Sequence, residues 1–371
     1  MKDEKIKTIN IQKIKDHCDS VVLYRLPFQK ESKILLGKSR VLVNGICDSD
    51  LNQKGFVFNP FAKSKGKCFF IDSVFEEVYS SVLLKRFDSE IKRLLTIQES
   101  GGKLSEQDFD SYSDQFKKMY EALSEGTLDK VILSRLKKED GLSSSSIIPL
   151  FESLCEMYPH AFVYVINSPI SGLWIGAGPE LLLKQEGGQL QTVSLAGTLP
   201  NSDELEWGEK ELKEQALVTD YMKDKLKNIG IESYREEGPY SMKAGQVQHL
   251  RTDFSFAKEQ LKTNTSDLLY QLHPTPAVCG MPKEKAKLLI SECENYDREY
   301  YSGFLGPINY DEFAFFVNIR CLKLFKESAV LYVGGGLTKG SELQKEWDET
   351  ELKAQTLLSV MKNMRNLQTY E

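Results

Sequence analysis

Early in the chain the hydrophobic positions fall in short alternating runs, "SVVLYRLP", "KILLGKSRVLV", "KGFVFNPF" and "KCFFIDS", each ended by turn residues. A period of two in runs of this length predicts four strands. The pattern then lengthens, and a helical section is expected over residues 74–97, followed by the loop "QESGGKLSEQ". Phe109, Tyr112, Phe116, Met119 and Leu123 recur at helical spacing, and Gly126 stands where that helix stops. "KVILSRL" reads as a strand whose alternation puts Lys130, Ile132 and Ser134 on one face. A helix over 146–156 separates it from what reads as an antiparallel meander, "AFVYVIN", "GLWIGAG", "ELLLKQE" and "QLQTVSLAGT".

A long helix is expected over 203–227, stopped by Gly230, and another over 283–295. Three strands follow, "YSGFLGPINY", "EFAFFVNIRCLKLF" and "AVLYVGGGL", then a final helix over 341–364. The links "NSPISG", "EGGQ" and "NYDE" are of hairpin length, too short for parallel crossovers. Strand groups in both halves predict an α+β fold with two largely antiparallel sheets around one core and flanking helices. No linker or repeat divides the sequence, so residues 1–371 are expected to form a single domain, with a divergent N-terminal stretch over 1–120 and a motif-bearing stretch over 121–371.

Composition narrows the class. A chain of 371 residues with 41% hydrophobic and 27% charged positions fits a globular protein with a sizeable core. The net charge is −6 and both signs are mixed along the chain, so no basic face predicts a nucleic-acid partner. An anionic substrate would need local positive groups or a metal ion. The seven cysteines show no CxxC pair or ligand-like spacing, which predicts free thiols in a reducing compartment. No apolar run reaches the ~18 residues of a membrane span, and the polar start "MKDEKIKTIN" is unlike a signal peptide. A cytoplasmic location, away from membranes, is expected.

Several residues stand where their chemistry is costly. Val218, Met222 and Leu226 form an apolar helical stripe, and Glu214 lies one step further back on it. A buried carboxylate must be paired or bind a metal; the ordinary alternative is that the stripe frays and Glu214 reaches solvent. Glu346, Glu349 and Lys353 share one face of the final helix, either as a surface ion pair or as carboxylates turned inward toward a hard cation such as Mg2+. Glu180 follows Gly178-Pro179 at a strand start, where burial would make it a general acid and exposure an ordinary turn residue. Lys130 either snorkels from a strand end or, once desolvated, serves as a base. Gly334, Gly335 and Gly336 precede a helix and let backbone approach an anion; Ser341 stands where a phosphate loop needs lysine, so that motif is rejected. Arg320, in "NIRCLK", is either a carboxylate clamp or a surface cross-strand partner. "YQLHPTPAVCG" packs His273, two prolines and the small pair Ala277-Val278 into one loop, since each proline removes a donor and fixes φ.

In order along the chain, "DKVILSR", "GAGPELLL", "SLAGT", "KEQALVTD", "LHPTPAVCG", "YDREYYSGFLG", "NIRCLK", "YVGGGL" and "EWDETELK" resemble the motifs of the chorismate-utilising enzymes. The resemblance runs from about Glu121 to Leu358. Within the family the chain looks like the isochorismate synthases, through Lys130 at its strand start and the His-Pro-Thr-Pro-Ala loop with its small aliphatic neighbour. Gly178 replaces a serine common before Pro-Glu, and Gln215 a histidine frequent after the metal-binding glutamate.

The resemblance implies a reaction and a site. Lys130 would activate water as base and Glu180 would protonate a departing hydroxyl, converting chorismate to isochorismate. Glu214 and Glu349, with Glu346 nearby, would bind Mg2+. Arg320, Gly334, Gly335, Gly336, Lys353, His273, Ala277, Val278, Gly197 and Thr198 would contact chorismate. No glutaminase subunit is expected, and the chain should be a monomer or weak dimer. Two alternatives stay open: a salicylate or anthranilate/aminodeoxychorismate synthase-type enzyme, and a non-catalytic protein that binds chorismate-like diacids.

Overall fold

The computed structural model describes residues 11–62, 66–97, 104–140, 142–202 and 204–368. Its strands are β1 (Ser20–Arg25), β2 (Lys33–Val41), β3 (Lys54–Asn59), β4 (Phe69–Val78), β5 (Lys130–Asp140), β6 (Phe162–Ser168), β7 (Gly172–Gly178) and β8 (Leu181–Glu186). They continue with β9 (Gln189–Pro200), β10 (Arg235–Ala244), β11 (Val247–Ala257), β12 (Gly280–Met281), β13 (Phe304–Asn309), β14 (Glu312–Val317), β15 (Cys321–Leu324) and β16 (Ser328–Leu337). Every pairing is antiparallel, in the order β10-β11-β9-β8-β14-β13-β3-β4-β2-β1-β6-β7-β15-β16-β5-β12.

The two expected sheets are therefore two leaves of one continuous ladder, joined through β3, β4 and β2 from early in the chain. Alternate residues of both leaves meet in a shared aromatic core. Phe58 of β3 packs edge-on against Trp174 of β7, and Phe162 of β6 stacks on Phe316 of β14 with centroids 4.3 Å apart. Rings of this size supply much of the buried apolar area, and stacking adds about 0.5–1.5 kcal/mol per pair. The opposite face of one leaf is covered by helices Ile147–Met157 and Leu343–Gln368, and that of the other by Glu209–Asn228 and Thr265–Leu272.

Several local expectations change. The helix expected over 74–97 begins later, because β4 runs on to Val78 against β2; two short helices then follow, Ser81–Arg86 and Asp88–Leu94, the first capped by Ser80. The long middle helix starts at Glu209 rather than 203, since extended Gly208 is its N-cap and Glu209 and Glu211 suit its positive end. Some of the loop expected over 98–107 lies outside the described residues. The meander breaks between β7 and β8, which belong to different leaves: β7 pairs with β15, and β8 with β14. "EFAFFVNIRCLKLF" likewise splits into β14 and β15 on different leaves. Strands β10 and β11 and the helix Thr265–Leu272 were not anticipated.

Candidate active site

The two breaks create the site. The chain crosses between leaves at Pro179-Glu180 and again at Asn318–Arg320. The crossings are stitched together: Ala177 N–H donates to the Arg320 carbonyl at 3.1 Å, and Val317 N–H to the Glu180 carbonyl at 2.9 Å. Arg320 therefore sits in a connection, not on a strand, with φ at +53°, a left-handed conformation rare for a side-chain-bearing residue. The crossing places its guanidinium and the Glu180 carboxyl at one pocket.

Glu180 is 3% exposed, and its carboxyl accepts a hydrogen bond from Thr275 Oγ1 at 3.3 Å. Burial pushes its carboxyl up to about 7, although Lys130 draws it down. Lys130 opens β5 with its side chain 1% exposed and its Nζ 2.8 Å from Glu214 Oε1. The helical stripe has not frayed: Val218, Met222 and Leu226 are buried and Glu214 turns inward with them. Burial raises the Glu214 carboxyl, but Lys130, with Lys210 and Lys353 nearby, outweighs that and holds it below the usual range.

The final helix supplies the other carboxylates. Arg135 of β5 anchors it, donating to Thr350 Oγ1 at 2.8 Å and lying 3.8 Å over the Trp347 ring. Glu349 accepts from Lys353 at 2.6 Å, and Lys353 also donates to the Gly334 carbonyl at 3.0 Å. Glu346 is 1% exposed and accepts from Lys210 at 2.7 Å through Oε1; its buried Oε2 has no hydrogen-bond partner. Burial and then the Glu349 charge push the Glu346 carboxyl up.

The three glycines lie within β16, where their main contribution is room. A Cβ at Gly336 would stand 2.6 Å from Glu214 Oε1 and 2.9 Å from Lys130 Cε. One at Gly335 would be 3.3 Å from Glu346 Oε2 and 3.5 Å from Glu349 Oε1. The pocket is lined by Lys130, Glu180, Gly197, Thr198, Glu214, Ala277, Val278, Arg320, Gly334, Gly335, Gly336 and Lys353. Glu346 and Glu349 stand behind the glycines.

His273 does not join them. It packs edge-on against Phe304 and borders a separate cleft with Pro60 and Lys283. The loop divides its residues between two sides: Thr275, Ala277 and Val278 serve the pocket, and His273 the outer cleft.

Three groups escaped the sequence reading. His249 of β11 is 6% exposed; its Nδ1 is 2.9 Å from the Gly197 carbonyl, and its Nε2 3.1 Å from an Arg320 nitrogen. Burial, with Arg320 and Lys353, lowers its pKa to about 3, so the ring is neutral, donating from Nδ1 and accepting at Nε2. It orients Arg320, whose other partner is Thr356 Oγ1 at 2.8 Å. Arg298 and Glu294 form a pair 2.6 Å apart and almost fully buried; Arg298 also holds the Val278 and Ile132 carbonyls. That pair braces the proline loop against β5. Alternation in "VQHLRTDFSF" could have revealed the strand of His249, but no local pattern marks its role.

Among the described residues, no three His, Cys, Asp or Glu side chains converge tightly enough to form a preassembled metal centre. The carboxylate set nevertheless suits a hard divalent cation. Glu346 Oε2 is buried and orphaned, and the glycines leave space beside all three carboxylates.

A buried carboxylic acid and a buried lysine line one pocket, beside a carboxylate–lysine cluster and a clamped arginine, the convergence of perturbed groups that marks a candidate functional site. The chain belongs to the family of chorismate binding enzymes, whose family model matches residues 63–362, reaching upstream of the motif-bearing stretch. It is 32% identical over 246 residues to the isochorismate synthase EntC of Escherichia coli (strain K12), a match spanning 63% of this chain and 62% of that protein. The fold matches the menaquinone-specific isochorismate synthase MenF from Escherichia coli, with TM-score 0.74 and 20% identity, over 95% of this chain and 91% of that one. It also matches anthranilate synthase component I from Streptococcus pneumoniae TIGR4, with TM-score 0.66 and 17% identity, over 91% and 92%.

Proposed function

We propose that this protein is an isochorismate synthase, converting chorismate to isochorismate. The observation that carries the reading is that Lys130 and Glu180 line one buried pocket, where Glu180 holds its proton up to about 7. An acid that keeps its proton near neutral pH can hand it to a departing hydroxyl. The names of the relatives point the same way.

The substrate's side-chain carboxylate meets Arg320, held in place by neutral His249 and Thr356, and the backbone at Gly334–Gly336. Lys130, released from its ion pair with Glu214 as the free amine, takes a proton from a water that attacks the ring carbon beside the carboxylated one. The new C–O bond forms as both conjugated double bonds of the ring shift by one position and the ring's hydroxyl leaves, taking the Glu180 proton to depart as water. One water enters and one leaves, so the change is an isomerisation. Glu214, Glu346 and Glu349 would hold a Mg2+ ion, which when bound supplies charge that offsets the ring carboxylate. Lys353 orients Glu349 and the Gly334 carbonyl. Ala277 and Val278 leave room for the attacking water.

The seven cysteines are all free, which supports a reducing compartment, and we place the protein in the cytoplasm. Among the described residues, no helix is long and apolar enough to cross a membrane.

Chromatography of the purified protein incubated with chorismate and Mg2+, with and without ammonia, tests the reading. Isochorismate alone is expected under both conditions. Salicylate with pyruvate, or an amino product when ammonia is present, would move the protein to another branch of the family. No conversion at all would leave a binding protein.

A further inference from the structure

The three lysine–carboxylate pairs of the site are not equivalent. Lys130 is 1% exposed and Lys353 14%, and Lys353 is tied to the Gly334 carbonyl as well as to Glu349. Lys210 is 30% exposed, and its single hydrogen bond among the described contacts is to Glu346. It also stands in the first turn of the Glu209–Asn228 helix, where the backbone's partial positive charge disfavours a cation. The Glu346 carboxylate offsets that cost. Beside Lys210 opens a groove of about 610 Å³, bordered by Asp129, Lys213, Thr338 and Lys339, which also reaches Glu214. The lysine therefore has somewhere to go.

Glu346 supplies the second observation. It is 1% exposed, with Oε1 on Lys210 and Oε2 buried without a partner. Lys210 and the nearby Ser341 hydroxyl are what offset this charge, Oε2 makes no well-formed hydrogen bond, and an under-satisfied buried charge is costly. A divalent cation shared with Glu349 and Glu214 would satisfy more of it than Lys210 does.

We propose that Lys210 is a resident counter-ion for Glu346 that the divalent cation displaces, the lysine swinging into the groove as the cation takes the carboxylate. The inference rests on the metal assignment proposed above. Lys210 then stabilises the fold without metal and competes with the metal for its site. It is a positioning residue: it touches neither substrate nor reacting atoms.

Titration calorimetry with MgCl2 alone, on wild type, Lys210→Met and Lys210→Arg, tests this without turnover. If the pair is closed about nine-tenths of the time, removing it tightens Mg2+ binding roughly tenfold. Lys210→Met should show that gain, and its melting temperature should fall without Mg2+ and recover at saturating Mg2+. Lys210→Arg keeps the ion pair and grips it with a bidentate fork, so it should bind Mg2+ more weakly than wild type; this arm stands even if Lys210→Met fails to fold. Unchanged Mg2+ affinity in Lys210→Arg, or unchanged or weaker affinity in a folded Lys210→Met, would overturn the proposal while leaving the metal site in place. Absence of Mg2+ binding by the wild type would overturn the metal assignment and this inference with it.

Discussion

Glu180 and Glu214 are the same residue type, both turned into one pocket and both penalised by burial, yet they end in opposite states. Glu214 is in direct contact with an ammonium at 2.8 Å and has two further lysines near it, and it is held ionised below the ordinary carboxylate range. Glu180 feels Lys130 only at longer reach and has one weak hydrogen bond from a threonine, and its pKa rises to about 7. The difference shows that burial supplies the push and the nearest partner decides whether it wins. One pocket thereby holds a carboxyl that keeps its proton up to about 7 and another held ionised.

The largest expected effect comes from abolishing the donor. Glu180→Gln keeps shape and burial but cannot give a proton, so turnover should fall about 10²–10⁴-fold with chorismate affinity kept within roughly threefold. Glu214→Gln should behave differently, weakening Mg2+ binding and turnover together. Calorimetry with chorismate and with MgCl2 beside steady-state kinetics separates the two, and identical profiles for both variants would erase the distinction.

A smaller effect is expected in stability. A folded-state pKa raised from 4.5 to about 7 means that the Glu180 contribution is fully present below 4.5 and is lost as pH rises through about 7. Glu180→Gln has no such titration. Relative to wild type it should gain up to about 3 kcal/mol between pH 4.5 and pH 8, measured by chemical denaturation at several pH values. A constant difference across that range would mean that Glu180 titrates like an exposed carboxyl. The same sign applies to catalysis, since a rate that needs protonated Glu180 declines above about pH 7.

Much of the fold was legible because local period and local structure agree. The helix Phe109–Ser124 follows the apolar spacing seen in the sequence, and Gly126, with φ at +77°, follows its end. The crossings were not legible, because hydrophobic alternation continues through Val317 and Cys321 while the chain changes leaf at Asn318–Arg320. Strand β10 was missed because it is exposed along nearly its whole length, so no apolar face marks it. In the site, Lys130, Glu180, Glu214 and Glu349 stood out through ordered motifs and costly positions. His249 and the Arg298–Glu294 brace did not, since the groups they hold, the Gly197, Val278 and Ile132 carbonyls and the Arg320 and Ser134 side chains, are distant in sequence. His273 was drawn into the expected site by its neighbours in the loop, and the structure places it on the other side.

The contrast between the two glutamates can be read directly by carbon NMR of protein labelled at the glutamate side-chain carboxyl, titrated from pH 4 to pH 9, with Glu180→Gln and Glu214→Gln to assign the signals. The signal lost in Glu180→Gln should titrate near pH 7, while the signal lost in Glu214→Gln stays at its ionised position across the range above the ordinary carboxylate pKa. A Glu180 signal already ionised at pH 5, or a Glu214 signal titrating near neutrality, would contradict the account.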